Sequence, residues 1–217
     1  MKYPRTPHLP WSPGLTKEER KITSLKNFLN KDITITEKLD GSNIALTSEG
    51  VFARSHSGHP THESFNVIKA KWAEHQAYLD PNIIVYAEYC WAIHTIQYEF
   101  LPTHTFIIAA YDKERKIWYE CAALADAAEQ LGIRTAPILF CDRVTTTHEL
   151  EFVTNLLGTN PSAYGGLREG VVVRTETFFE DFETNVAKWV RKNHVSTDVH
   201  WSQQPVRRQN VNADGEE

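Results

Sequence analysis

Short apolar runs rich in β-branched residues, unevenly spaced and broken by turn-forming residues, constrain the fold of this chain more than any other feature. Ile33-Thr34-Ile35-Thr36 alternates like a strand and runs into Asp40-Gly41, a turn signal, so residues 43–47 read as the returning arm of a hairpin. Residues 50–54 suggest another hairpin, residues 82–89, 105–111, 171–173 and 186–190 read as further strands, and 117–119 pairs back through the 112–115 turn. Helical patterns are fewer. Thr16 followed by Glu18 and Glu19 predicts a helix start that continues to residue 29. Phe65, Ile68, Trp72 and Tyr78 mark an amphipathic helix over 64–79. Residues 121–131 are Ala-rich with Gly132 as a stop, and 147–157 reads as one more helix. Strands outnumber helices and do not alternate with them regularly, which predicts an antiparallel-rich α+β domain rather than a doubly wound sheet.

A chain of 217 residues fits one such domain with a real core. Residues 1–16 carry Pro4, Pro7, Pro10 and Pro13, so this arm must be extended or turned, and Tyr3, Leu9 and Trp11 give it anchors for packing. The expected organisation is a proline-rich arm over 1–16, one domain over 17–202 and a loose polar tail over 203–217. No apolar run spans a membrane, and residues 1–15 lack the apolar stretch of a signal peptide. Cys90, Cys121 and Cys141 are widely spaced, so a reducing, cytoplasmic setting fits better than a disulfide framework or a zinc site. A net charge of −5 argues against a basic coat for nucleic acid but not against a local basic groove. The ten histidines show no metal-ligand spacing with a third partner; His56, His59 and His62 read as solvated loop residues, His194 as a strand cap or a contact to a bound partner, and Trp189 and Trp201 as core or interface residues.

Three motifs carry chemistry. Glu37-Lys38-Leu39-Asp40-Gly41-Ser42-Asn43 puts a lysine at a strand end beside a tight turn, where backbone N–H groups can approach a phosphate. Glu169-Gly170-Val171-Val172-Val173-Arg174 sets an acid and a cation at the ends of an apolar strand, and Ala187-Lys188-Trp189-Val190-Arg191-Lys192 is a strand with closely spaced cations. Each alone has an ordinary reading, as a surface turn, a core strand with charged ends, or a lysine-guarded edge. Chance co-occurrence of the first two strings is expected in roughly one chain in several thousand, which favours the functional reading.

In this order, with Glu88 between them in Val85-Tyr86-Ala87-Glu88-Tyr89, the motifs resemble the covalent nucleotidyltransferases: DNA ligases, RNA ligases and mRNA capping enzymes. The branch they look most like is that of the ATP-dependent RNA ligases related to the second RNA ligase of T-even phages and the kinetoplastid editing ligases. The resemblance covers about residues 31–195. It implies a nucleotidyltransferase (ATP-grasp-like adenylation) domain with two sheets flanked by helices, ATP and Mg2+ as cofactors, and RNA as partner, nicked or in a hybrid. Lys38 matches the lysine that takes AMP, Glu37 a reader of the adenine amino group, and Asn43 the asparagine that closes the first motif. Arg54 resembles a contact to the ribose or the incoming end, Glu88 the ribose-binding glutamate, and Tyr111 the ring stacked on adenine. Glu169 matches the metal-linked glutamate, and Arg174 stands where lysine is commoner.

The last motif departs from the pattern: Lys188 and Arg191 are three apart and fall on opposite faces of a regular strand unless a bulge intervenes. Only about 25 residues follow Lys192, fewer than an OB-fold needs, so a minimal RNA ligase, expected as a monomer, is favoured over a DNA ligase or a capping enzyme. A ligase preferring DNA or RNA–DNA hybrid nicks, and an end-binding protein with vestigial transfer, are the alternatives. The resemblance implies attack of Lys38 on the α-phosphorus of ATP, transfer of AMP to a 5′-phosphate, and sealing by a 3′-hydroxyl. Lys188, Arg174 and the metal are expected to depress the pKa of Lys38. The arm, with Arg5 and His8, is expected either to cover the site or to act as a structural lid.

Overall fold

The computed structural model describes residues 1–54, 59–192 and 206–212. In chain order the strands are β1 (Lys31–Lys38), β2 (Ser42–Thr47), β3 (Gly50–Ala53), β4 (Ile83–Tyr89), β5 (Thr105–Asp112), β6 (Ile117–Trp118), β7 (Arg134–Thr135), β8 (Ile138–Val144), β9 (Gly170–Thr175) and β10 (Val186–Val190). The helices are α1 (Asn66–His75), α2 (Leu124–Leu131), α3 (Thr147–Thr159) and α4 (Phe182–Asn185). Two sheets form. The first has order β10-β9-β1-β8, and the second β3-β2-β4-β5-β6, with the short β7 added parallel to β5.

This topology overturns the expected hairpin at Asp40-Gly41. β1 pairs only within the first sheet and β2 only within the second, so residues 39–41 carry the chain from one sheet to the other. The Asp-Gly pair serves that passage. Asp40 Oδ2 accepts from the backbone N–H groups of Thr95 and Ile96 at 2.7 Å each, while a Cβ on Gly41 would stand 2.7 Å from the Tyr89 carbonyl oxygen. A side chain at residue 41 is therefore excluded by backbone, not by turn type.

Apolar packing follows the two sheets. One cluster, with Ile33, Ile35, Val171, Val173 and Trp189, joins the first sheet to α3. Another, with Ile44, Leu46, Val85, Ile107 and Leu131, joins the second sheet to α1 and α2. A third, centred on Tyr86, Trp118 and Phe182, packs residues of both sheets together. α2 ends as expected at Gly132, which takes the left-handed conformation with φ of 57°. α3 starts on a Thr146 cap whose side chain accepts from the Glu149 N–H.

The segment before β1 is not helical. Residues 16–29 form turns and bends. Thr16 and Glu19 make only half of a capping box: Thr16 N donates to Glu19 Oε2, but Thr16 Oγ1 donates to the same oxygen instead of accepting from the Glu19 N–H, and no helix continues from them. The proline-rich arm instead lies along β10. Leu9 N donates to Lys188 O and Lys188 N to Pro7 O, both at 2.8 Å, and Gly14 N reaches Val190 O at 2.8 Å. His8 thus bridges Lys188 on one side and Lys21 on the other, so residues 7–9 and 20–22 extend the first sheet beyond β10. Leu9 is fully buried, and Tyr3 packs on Tyr86, Trp118 and Phe182.

The described part of the tail, 206–212, is docked rather than loose. Gln209 is buried, donates to Ile96 O at 2.6 Å and accepts from Tyr98 N at 3.1 Å, and its backbone N–H reaches Trp91 O. A polar residue buried in this way needs every group satisfied, and here the loop over 91–98 and the His104 ring, whose Nε2 lies 3.0 Å from Gln209 O, together satisfy it. His56, His194 and Trp201 lie outside the described residues.

Candidate active site

Where the two sheets face each other, a cleft of about 650 Å3 opens, lined by both sheets and by the N-terminal segment. β1 delivers Lys38 to its floor. Because side chains alternate along a strand, Thr36 and Lys38 face one side and Glu37 the other. Lys38 Nζ donates to Glu169 Oε2 at 2.6 Å. Glu169 immediately precedes β9, whose first residue, Gly170, is the cross-strand partner of Lys38. Gly170 is required there, since a Cβ would stand 2.1 Å from the Trp189 carbonyl oxygen of β10. From the second sheet β4 brings Glu88, opposite Asn43 of β2. Glu88 Oε1 accepts from the Gly41 N–H at 3.1 Å, which ties it to the passage beside Lys38.

Three charges thus converge with little water around them. Burial pushes the Glu88 carboxyl up, and the nearby Glu169 and Asp40 add to this against the pull of Lys38, leaving it at about 7. Glu169 is also raised, first by burial. Lys38 goes the other way from the sequence expectation. Burial favours its neutral amine, but the field of Glu169, Glu88 and Asp40 outweighs burial and holds the amine well above its ordinary value. Without bound ligand, the resting lysine is an ammonium. Among the protein's own groups the carboxylates set the field at this amine, so the expected depression by Lys188, Arg174 and the metal rests on the metal.

The other cations sit on the walls. Arg174 of β9 lines the cleft and is buried, hydrogen-bonded to Tyr3, with Nε lacking a partner among the described residues. Lys188 of β10 lines it too, and its Nζ donates to Glu19 Oε1 at 2.9 Å. Arg54, just after β3, stands exposed on the rim. Asn43 lines the cleft with a buried, unpartnered Nδ2. Buried donors left orphaned on a cleft wall suit a ligand with oxygen acceptors.

Three expected residues are placed otherwise. Glu37 is among the residues that line the cleft, but strand alternation turns its side chain to the opposite face. Its carboxylate is fully buried behind β1, accepting from Ser162 Oγ at 2.5 Å and Ala163 N at 2.8 Å and paired with Arg168 at 3.3 Å. Its occupied oxygens leave nothing to read adenine. Tyr111 is not on the cleft wall either. It packs on Trp118 at 4.9 Å between ring centroids, and Ile108 of the same strand faces the cleft instead. The register of β4 and β5 shifts between Tyr86 and Ala87, which changes which residues of the run face inward. Arg191 lies past the end of β10 and off the cleft wall, its backbone N–H bonded to Glu169 O at 3.0 Å. The β9–β10 register is regular, so no bulge brings Arg191 onto the Lys188 face.

Residues read in the sequence only as arm anchor, helix start or core strand also line the site: Tyr3, Glu19 and Val172. The Thr16–Glu19 spacing was visible but pointed to a helix start.

Among the described residues no set of three or more His, Cys, Asp or Glu side chains could hold a metal ion. The site does offer two buried carboxylates, Glu88 and Glu169, whose raised pKa values show that a compensating positive charge is wanted. That donor set suits a hard divalent ion completed by phosphate oxygens and water.

A two-sheet α+β fold with a lysine and two glutamates at the floor of an open cleft defines a nucleotidyltransferase-type domain, and solved structures share it. A Naegleria gruberi RNA ligase variant with ATP and Mn matches at TM-score 0.58 and 18% identity over 85% of this chain and 58% of that one. Another variant of that ligase, with AMP and Mn, matches at 0.57 and 17% over 78% and 52%. An archaeal ATP-dependent RNA ligase matches at 0.53 and 11% over 88% and 48%. The chain therefore spans about half of the ligases it matches. No curated relative matches it in sequence. Residues 31–190 match the RNA ligase family, and the chain belongs to it.

Proposed function

We propose that this chain is an ATP-dependent RNA ligase whose Lys38 takes AMP from ATP, passes it to a 5′-phosphate and so activates that end for attack by a 3′-hydroxyl. The observation that carries the reading is the meeting of Lys38, Glu88 and Glu169 at the floor of one cleft whose walls hold Lys188, Arg174 and the orphaned Asn43 amide. The relatives solved with ATP or AMP and Mn support ATP and a divalent ion as its requirements.

The chemistry turns on one proton. Lys38 must lose it before its Nζ can form a bond to the α-phosphorus as pyrophosphate leaves. Glu88 and Glu169 would hold a divalent ion, Mg2+ by our reading, whose charge would offset the negative field that keeps Lys38 protonated. Lys188 and Arg174 then remain as the nearby charges, and both favour the neutral amine and a negatively charged phosphate. Asn43 and Arg54 are assigned to the nucleoside and the incoming end. Ile108 offers an apolar surface, not an aromatic one, to a base lying in the cleft. The chemistry needs no disulfide, and the free thiols Cys90, Cys121 and Cys141 suit a reducing, cytoplasmic setting.

The test is direct. Incubation with ATP and Mg2+ is expected to add one adenylyl group to the wild-type chain and none to Lys38→Ala, as read by intact mass. An adenylylated Lys38→Ala protein refutes the assignment. Sealing of RNA–RNA, RNA–DNA and DNA–DNA nicks, compared side by side, then fixes the substrate; RNA-containing nicks are expected to be sealed in preference.

A further inference from the structure

We infer that Glu19, fixed by His8 and Thr16, is a positioning residue that aims Lys188 into the cleft, so that the N-terminal segment is a working part of the nucleotidyl-transfer site. The segment lies outside residues 31–190, the stretch that matches the family. The inference rests on the proposed function, because it needs Lys188 to act on a phosphate.

The contacts on Glu19 are more than those of a surface ion pair. Oε1 accepts from Lys188 Nζ and stands 2.9 Å from His8 Nε2, and Oε2 accepts from Thr16 Oγ1 at 3.2 Å and Thr16 N at 3.4 Å. Both oxygens are occupied. His8 is itself buried, with Nδ1 2.9 Å from Ser12 Oγ, and Ser12 Oγ in turn accepts from Val190 N. A chain of hydrogen bonds therefore runs from the β10 backbone through Ser12 and His8 to Glu19, and back to Lys188 on the same strand. The main chain is locked as well, since Lys188 N and O bond Pro7 O and Leu9 N.

The physical consequence concerns freedom. A lysine side chain has a flexible four-carbon stem and loses up to about 2 kcal/mol of rotamer entropy when ordered. Glu19 imposes that order before any nucleotide arrives. Of the three donors on the ammonium, one is directed to Glu19, leaving two for phosphate oxygens in the cleft. A carboxylate that merely competed with phosphate for Lys188 has no need of His8 and Thr16 to hold it. The Thr16–Glu19 pattern, which looks like a helix cap in the sequence, is here a bracket for a carboxylate.

The experiment follows lysine adenylylation in single turnover, using the full chain, labelled ATP and Mg2+. Labelling of wild type but not of Lys38→Ala establishes the reaction; without it the functional reading fails, whatever Glu19 does. Given that reaction, Glu19→Gln is expected to slow it on the order of tenfold at saturating ATP, with half-saturation by ATP nearly unchanged. In a Lys188→Ala background the same substitution is expected to add no further loss, because its effect passes through Lys188. Thr16→Val, at an exposed position and removing one hydroxyl contact, provides a milder perturbation if Glu19→Gln unfolds; it is expected to slow wild type two- to threefold and Lys188→Ala not at all. Wild-type rates in a folded Glu19 or Thr16 variant, or losses that multiply with Lys188→Ala, overturn the inference.

Discussion

At Glu88 the resting protein holds a carboxylate against its preference. Its pKa of about 7 lies above the ordinary 4.5, so the folded state binds a proton that the unfolded state releases. Stability from this group is complete below about pH 4.5 and is lost as pH rises through 7. Glu88→Gln keeps an acceptor for the Gly41 N–H without the charge. It is expected to raise stability on the order of 1–3 kcal/mol at pH 8, with the gain vanishing near pH 4. Urea titrations at the two pH values check this, and a Glu88→Gln protein no more stable at pH 8 would refute it. Most residues around this group were legible in the sequence. Lys38, Glu88, Glu169 and Arg174 stand at or near strand ends and Lys188 at the middle of β10, each a charge that interrupts an apolar run. Glu37 shows what a motif hides. Adjacent residues on a strand face opposite ways, so a neighbour of Lys38 can be shared by the motif while its carboxylate is turned away from the cleft. Tyr111 was lost to a register shift that leaves no mark in the sequence.

Among the elements, the arm over residues 7–14 behaves as part of the first sheet rather than as an appendage. Leu9 is fully buried beside Ile22, Phe28 and Trp189, so Leu9→Ala is expected to cost about 2–5 kcal/mol, read as a shift of the denaturation midpoint. If the arm only rested on the surface, the loss would be near zero. At the β9–β10 pair, Gly170→Ala drives a Cβ into the Trp189 carbonyl oxygen and is expected to cost about 2 kcal/mol or more and to disturb Glu169, whose carbonyl bonds the Arg191 N–H. A Gly170→Ala protein as stable and as fast in adenylylation as wild type contradicts this. The strands were readable from their β-branched runs, with β8 the main omission; its outward residues are exposed, and Cys141-Asp142-Arg143 interrupts its apolar pattern. The passage at residues 39–41 was not readable, because Asp-Gly signals a turn locally and says nothing about which sheet receives the next strand.

Over the whole molecule, two opposed titrations set the response to pH. Glu19 is partly buried, which pushes its pKa up, but hydrogen bonds from Lys188 and His8 prevail and hold it at about 2. Its contribution is therefore present above pH 4.5 and lost as pH falls through 2, whereas that of Glu88 is lost as pH rises toward 7. From these groups the ligand-free chain is expected to be most stable near pH 4.5, and thermal melts across pH 2–8 check the position of the maximum. ATP with Mg2+ at about a hundred times its dissociation constant is expected to add about 2.7 kcal/mol at neutral pH, moving the maximum upward by relieving Glu88 and Glu169. A maximum that stays at the acid end with both ligands present contradicts this.

The division of labour between the sheets has a mechanical consequence. Lys38, Glu169, Arg174 and Lys188 ride on or beside neighbouring strands of the first sheet, while Asn43, Arg54 and Glu88 belong to the second. On the proposed function, any rocking of one sheet on the other leaves Lys38, Glu169, Arg174 and Lys188 in fixed relation and changes their distance from Asn43, Arg54 and Glu88. If the proposed chemistry holds, a nucleotide lying across the cleft is gripped like a coin between two jaws, with the reacting phosphorus in the jaw that carries the amine. Such a layout keeps the amine and the cations beside the phosphate on one sheet, and leaves a shared ion between Glu88 and Glu169 to couple that sheet to the other.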